Sequence, residues 1–107
     1  MLSGTLYPMP ESYLQDQFLR VFAEGHRATA RRIVAKLNAL DLPAELRERV
    51  GEIVREEVRG LYHGNLVVLD GGSSLADTGT IELVDDRGAP FARNLHEIGF
   101  SFYDKNA

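Results

Sequence analysis

The stretch HGNLVVLDGGSSLADTG, residues 63–79, decides which fold this chain adopts. Its apolar run, Leu66 to Leu69, shows no polar alternation, a pattern typical of a strand covered on both sides. The run stops at an aspartate and two glycines, residues 70–72, which are the residue types of a turn. The stretch therefore predicts an inner strand followed by a loop of about ten residues, longer than a tight hairpin needs.

The same loop raises the question of a ligand site. Successive N–H groups at Gly71 and Gly72 could form an anion nest, but no Walker lysine follows the glycines. The aspartates do not have EF-hand spacing, and the serines lack the G-x-S-x-G elbow. We therefore favour a structural loop, in which Asp70 and Asp77 accept hydrogen bonds from backbone N–H groups.

Two amphipathic helices precede this stretch. From about Ser12 to Leu40, apolar residues recur at spacings of three, four and seven; Gly25 could kink this helix or let another element approach closely. The second helix has Pro43 in its first turn and an apolar stripe that continues to Leu61. Gly64 is the expected left-handed stop. Because the link between the helices is short, we expect an antiparallel hairpin.

Residues 80–92 carry the best hairpin signal of the chain. Thr80 to Val84 predicts one strand, and Asp85 to Gly88 predicts the turn, with glycine where a positive φ is needed. Pro90 restricts the returning arm to an edge or a short strand. Two antiparallel strands are therefore expected after the loop.

The tail NLHEIGFSFYD, residues 94–104, has two interpretations. Alternation of large apolar with smaller residues favours a final strand or extended segment, which is the interpretation we prefer. A short helix is the alternative, because Asn94 and Glu97 resemble a capping box. The preferred interpretation supplies one more strand to the sheet.

These elements predict an α+β fold, an antiparallel helix hairpin packed on a small antiparallel sheet of three to four strands. At 107 residues the chain should be a single domain, 1–107. It divides into a leading segment 1–11, the helix hairpin 12–63 and the sheet 64–107. The hairpin would bury its apolar stripe against the following side chains: Leu66, Val67, Val68, Ile81, Leu83, Phe100 and Phe102.

Composition excludes several classes of protein. There is no cysteine, so neither a disulfide framework nor a thiolate zinc site can form. No stretch reaches the roughly 20 apolar residues that span a bilayer, and no signal peptide is visible. We therefore expect a cytoplasmic protein with no membrane partner, and we predict no cofactor.

Charge is distributed unevenly along the chain. Residues 1–64 carry equal numbers of basic and acidic residues, so the whole net charge of −4 lies in residues 65–107. An acidic surface repels nucleic acid and favours basic partners. We predict a partner-binding acidic face made of Asp70, Asp77, Glu82, Asp85 and Asp86.

A resemblance gives that face a possible role. The order helix, HG, apolar strand, DGG, a strand ending in LVDD, then LHE and aromatic residues resembles small bacterial proteins, some of which are immunity proteins of toxin–immunity systems. The resemblance covers residues 60–103 and carries no catalytic motif. Immunity proteins as a class are small, cytoplasmic, often acidic and α+β, and they act by tight binding. It implies a non-enzymatic protein that neutralises a basic toxin domain.

A second function is kept as the alternative. His63, Asp70, Asp77 and His96 supply metal-binding residue types, although they have no characteristic spacing. If the fold brought them together, a small metal-dependent hydrolase or another enzyme would be possible. This hypothesis requires the four side chains to converge on one concave site.

Self-association is also possible. The first helix presents Phe18, Val21 and Phe22 on a wide apolar surface that a small sheet would not cover completely. A leftover apolar patch normally marks an interface, and a two-fold dimer is the commonest solution. The opposing possibility is that residues 1–11 fold back over the patch and leave a monomer.

Overall fold

The computed structural model describes residues 12–104, and within that range the chain is helical. A single antiparallel bridge, between Val84 and Pro90, is the extent of β-structure there. The predicted α+β fold is therefore wrong, and there is no sheet in the described part of residues 64–107. The helices are α1 (Gln15–Asn38), α2 (Ala44–Leu69) and α3 (Leu95–Asp104), with a short 3₁₀ helix at Ser74–Asp77.

The two helices of the predicted hairpin are present. α1 passes through Gly25 without a break, and α2 begins directly after Pro43. A proline is tolerated there because the first N–H groups of a helix have no partner within it. The second helix is longer than predicted, since Gly64 lies inside it and does not stop it.

The run LVVL is the last part of α2 and not an inner strand. Val58, Tyr62 and Leu66 are all buried and recur every four residues, so the apolar stripe of α2 continues directly into the run. An apolar run without alternation is compatible with a buried helix as well as with a buried strand. Here the helical stripe that precedes the run decides its conformation.

The DGG sequence ends α2. Gly71 has a φ of +80°, and its N–H donates to the carbonyl of Val68, with an N···O distance of 3.1 Å. The N–H of Gly72 donates to the carbonyl of Val67 at 2.9 Å. This pair of bonds is a Schellman motif, which satisfies carbonyl groups at a helix C-terminus. The glycines are therefore a helix stop and not a phosphate cradle.

The hairpin predicted at residues 80–92 forms its turn but not its strands. Gly88 has a φ of +79°, as the turn requires, and Phe91 donates its N–H to the carbonyl of Leu83. Pairing stops there because residues 66–69 are helical, so no strand within residues 12–104 lies beside the turn to extend a sheet. Val84 is 54% exposed as a result.

The preference for a strand at residues 94–104 is also wrong, since this segment is α3. It packs on both long helices and completes a three-helix core. Of the predicted core residues Leu66 is buried, whereas Val68 and Ile81 are exposed, because the sheet that would have covered them is absent. The buried core cluster consists of Leu19, Ala23, Tyr62, Leu66, Leu95 and Tyr103.

The contact between α2 and α3 is close at Gly99. Tyr62 donates its hydroxyl hydrogen to the carbonyl of Gly99 at 2.9 Å. Burial raises the pKa of Tyr62 to about 12. A Cβ at Gly99 would lie 2.5 Å from Cδ1 of Leu66, so only glycine fits without displacement of the core. None of the helices within residues 12–104 combines the length and apolar character needed to cross a membrane.

Candidate functional site

Asp70 binds the N-terminus of α3. Its carboxylate accepts hydrogen bonds from the N–H groups of Leu95 at 3.0 Å and His96 at 2.7 Å. The same carboxylate lies 2.5 Å from Nδ1 of His96, and the Asp70 side chain is only 3% exposed. A negative side chain at a helix N-terminus satisfies free N–H groups and interacts favourably with the helix dipole. Asp70 therefore accepts backbone hydrogen bonds, as the structural interpretation of the loop expected.

Arg27 binds the C-terminus of the same helix. Its Nη1 donates to the carbonyls of Phe102 and Tyr103, each at 2.9 Å, and its Nη2 donates to Glu24 at 2.9 Å. The guanidinium lies 5.5 Å from the Tyr103 ring centroid, and the side chain is 8% exposed. A cation at this position complements the negative end of the helix dipole. Arg27 thus links α1 to α3.

Asp85 organises the turn of the loop between α2 and α3, residues 71–94. It accepts a hydrogen bond from the Ser12 hydroxyl at 2.6 Å and from the N–H groups of Arg87 and Ala89. The Ser12 hydroxyl is the main cause that lowers the pKa of Asp85 below its ordinary value. This carboxylate is buried, and its oxygens already accept hydrogen bonds from within the chain.

Two further bonds fasten the same loop to the beginning of α1. The N–H of Ser12 donates to the carbonyl of Pro90 at 3.0 Å. The side-chain oxygen of Gln15 accepts from the N–H of Ala92 at 2.7 Å. Hydrogen bonds therefore hold the loop at its α2 end through Asp70, at its turn through Asp85, and near its α3 end through Ala92.

The predicted acidic face is smaller than the sequence indicated. Asp70 and Asp85 are bound to internal donors and do not present free carboxylates. Asp77, Glu82 and Asp86 are exposed on the loop. No sequence signal separated the two groups, because the donors to Asp70 and Asp85 lie far from them along the chain.

Asp86 also has a neighbour outside the loop. It accepts a hydrogen bond from the Tyr13 hydroxyl at 2.7 Å, and this bond raises the pKa of Tyr13 above its ordinary value. The guanidinium of Arg87 lies 4.2 Å from the Tyr13 ring centroid. The turn therefore presents an exposed cluster of one aromatic, one acidic and one basic side chain.

The four metal candidates do not form a centre. The rings of His63 and His96 lie 5.6 Å apart between centroids, and His96 contacts Asp70. Asp77 is exposed on the 3₁₀ helix, and the His63 ring stacks on Phe100 at 4.8 Å. Across residues 12–104, no group of three or more His, Asp or Glu side chains is placed to hold a metal ion.

An open apolar groove runs between α1 and α2. The predicted interface residues Phe18, Val21 and Phe22 all line it, and Val21 is 62% exposed. The two phenylalanine rings stack with centroids 5.2 Å apart. Sequence reasoning found the α1 side of this groove and missed the α2 side. The groove holds about 400 Å³ and is also lined by Gly25, His26, Thr29, Val58 and Leu61.

A second groove, beyond the end of α3, is charged. It holds about 790 Å³ and contains arginines and acids in alternation. Arg59 donates to both carboxylate oxygens of Asp104, at 2.8 and 2.7 Å, and this ion pair lowers the pKa of Asp104. Arg49 pairs with Glu52. Much of the charge in this groove is therefore neutralised internally.

No family model, curated protein or solved structure matches the chain.

Proposed function

We propose that this protein is a non-enzymatic binding protein that recognises a basic protein partner through the loop 71–94. The observation that supports this function best is the exposure of Asp77, Glu82 and Asp86 on a long loop that is fastened to a helical scaffold. This loop is longer than most connections between helices and holds only a short 3₁₀ helix and one bridge, and loops of that kind are usually functional or disordered. The hydrogen bonds of Asp70 and Asp85 favour the functional alternative.

Electrostatics indicates the class of partner. The three exposed carboxylates have no ion-pair partner among the residues that the structure describes. Exposed charges of one sign raise the association rate with an oppositely charged surface, and this effect decreases with salt. A basic partner is therefore the expected class, and nucleic acid is disfavoured.

Neutralisation of a toxin is the concrete version of this proposal. The short sequence motifs of residues 60–103 and the net charge of −4 support it, whereas the helical fold differs from the α+β fold common in immunity proteins. Proteins of that class act in the cytoplasm, so we propose the same compartment. The structure gives no support to the metal-dependent hydrolase, because among residues 12–104 no three His, Asp or Glu side chains are placed to hold a metal ion.

Co-expression with a candidate toxin tests the proposal. The candidate is a basic toxin domain chosen from the genes that neighbour this one, and the readout is growth together with the Kd of the purified pair. The variant Asp77→Asn, Glu82→Gln, Asp86→Asn should bind at least tenfold more weakly at low salt and should protect poorly. The control Asp16→Asn, Glu45→Gln, Glu48→Gln removes the same charge from exposed helix positions. Equal loss of affinity in both variants would contradict recognition by the loop.

A further inference from the structure

The hairpin has a long apolar side that α3 leaves open. α3 packs against the side that carries Arg27 and Arg59, as its hydrogen bonds show. On the other side, Val21 is 62% exposed and Leu61 is 57% exposed. We call this side the apolar face and define it by six exposed residues, three on each helix. They are Val21, Ile33 and Leu40 of α1 and Leu46, Ile53 and Leu61 of α2.

We propose that a second copy of this chain packs on the apolar face and completes an antiparallel four-helix bundle. This assembly goes beyond the proposed function, since it uses the hairpin and not the loop. The face is about 30 Å long and two helices, or about 20 Å, wide, which is roughly 600 Å² per copy. Two copies would then bury about 1,200 Å², the lower end of the range for specific interfaces.

Gly25 lies in this groove and agrees with a close helix contact. Glycine weakens a helix interior, yet a Cβ at Gly25 would meet no atom within 4 Å among the described residues. Packing within the described part of the chain therefore does not require a glycine here. With no side chain at Gly25, a helix of a second copy can approach the backbone of α1 closely at this point.

Charge at the edges of the face favours a second copy of this chain as the occupant. Arg32 and Lys36 flank the α1 edge, where Arg32 donates to Thr29 in the groove. Glu57 lies one turn from both Ile53 and Leu61 on the α2 edge. None of these three charged residues forms an ion pair within residues 12–104. The α1 edge thus offers two basic side chains without an ion-pair partner in this range, and the α2 edge offers one such acidic side chain.

A two-fold axis parallel to the helices brings those edges together. It places α1 of each copy over α2 of the other, with the hairpin links at the same end. Thr29 and Val58 line the same groove. With these two residues level and the helices antiparallel, Arg32 of one copy and Glu57 of the other differ in level by about two residues of helix rise, ~3 Å. Two long side chains can bridge that offset. The contact occurs twice, which is what an isologous interface requires.

Light scattering of the full chain at micromolar concentration tests the assembly. We expect twice the 11.9 kDa mass of one chain. Val21→Glu, at an exposed position, should give the mass of one chain at the same concentration. Val84→Glu, at a similarly exposed apolar position on the loop, should remain a dimer. A single-chain mass for the unmodified protein would overturn the proposal and would favour coverage of the face by residues 1–11 or by another protein.

A charge exchange tests the arrangement itself. Arg32→Glu and Glu57→Arg should each raise the dimer Kd at least tenfold, because each places like charges opposite one another. The double variant exchanges both charges and should return the Kd to within about threefold of the unmodified value. Failure of the double variant to recover, with circular dichroism showing unchanged helix content, would overturn the pairing of α1 with α2.

Discussion

The carboxylate of Asp70 and the guanidinium of Arg27 hold opposite ends of α3. A helix of ten residues is marginal by itself, and its terminal N–H and C=O groups have no partners within it. Asp70 supplies an acceptor where N–H groups are free, and Arg27 supplies donors where carbonyls are free. Each charge also has the sign that the adjacent end of the helix dipole favours. α3 is therefore stabilised from outside its own sequence.

Replacement of Asp70 by asparagine should destabilise the protein. An amide keeps one acceptor oxygen but turns an NH₂ group toward the N–H groups of Leu95 and His96. We expect a loss of about 1–3 kcal/mol in the free energy of unfolding, measured by urea denaturation. Asp77→Asn changes the same chemistry at an exposed position and should stay within about 0.5 kcal/mol. An equal effect of the two substitutions would contradict the capping role of Asp70.

Replacement of Arg27 by lysine should not be conservative. Lysine keeps the charge but lacks the planar fork that reaches the carbonyls of Phe102 and Tyr103 together with Glu24. We expect a loss of about 1.5–3 kcal/mol, since hydrogen bonds to a charged, buried donor are among the stronger ones. The exposed Arg31, which also pairs with Glu24, is the matched control. Arg31→Lys should cost no more than about 0.5 kcal/mol.

Two glycine-to-alanine substitutions should have opposite signs. At Gly99 the new methyl group would approach Leu66 to 2.5 Å and the Tyr62 hydroxyl to 2.9 Å, so we expect a loss of about 1–3 kcal/mol. At Gly60, an exposed position inside α2, the methyl group would meet no atom of the described residues within 4 Å. Gly60→Ala should stabilise the protein by about 0.5–1 kcal/mol. A thermal melt of each variant measures both effects, and destabilisation at Gly60 would show that this surface is covered.

Stability should fall in acid, in part through Asp85. The folded state lowers the pKa of this carboxyl from its ordinary 3.8, chiefly through the Ser12 hydroxyl. A lowered folded-state pKa stabilises the protein above the unfolded value and loses that contribution as the pH falls through the folded value. Ser12→Ala should therefore lower stability at neutral pH and flatten the decline in stability below pH 3.8. Urea titrations at several pH values compare the slopes, and parallel curves would contradict this coupling.

The hairpin could be predicted because its signal is local. Apolar residues at helical spacing lie within α1 and α2 themselves, and no distant partner is needed to recognise them. The run from Leu66 to Leu69 could not be assigned from its own residues. Val58 and Tyr62 are four residues apart, and the same spacing leads to Leu66. This continuation of the apolar stripe identifies the run as helical.

α3 and the roles of the acidic residues depend on distant partners. The capping-box pattern of Asn94 and Glu97 indicated a helix, but the carboxylate that caps it belongs to Asp70, at the end of α2. The same holds for Asp85, whose hydroxyl donor, Ser12, precedes α1. Such pairs are set by tertiary packing, so the sequence identified the acidic residues without indicating which remain exposed. The α2 side of the apolar groove was missed for the same reason.

The binding of both ends of α3 by Asp70 and Arg27 has a consequence for local unfolding. The hairpin joins neighbouring segments through a short link, whereas α3 docks only after the longer loop 71–94 has closed, at a greater entropy cost. We expect α3 to be the first helix to detach, in a partial opening that leaves α1 and α2 paired. A partner that binds the loop 71–94 in its ordered conformation would bind only the form in which α3 is docked on α1 and α2. Binding of the partner to the loop should therefore slow amide hydrogen exchange in α3, at a distance from the contact itself.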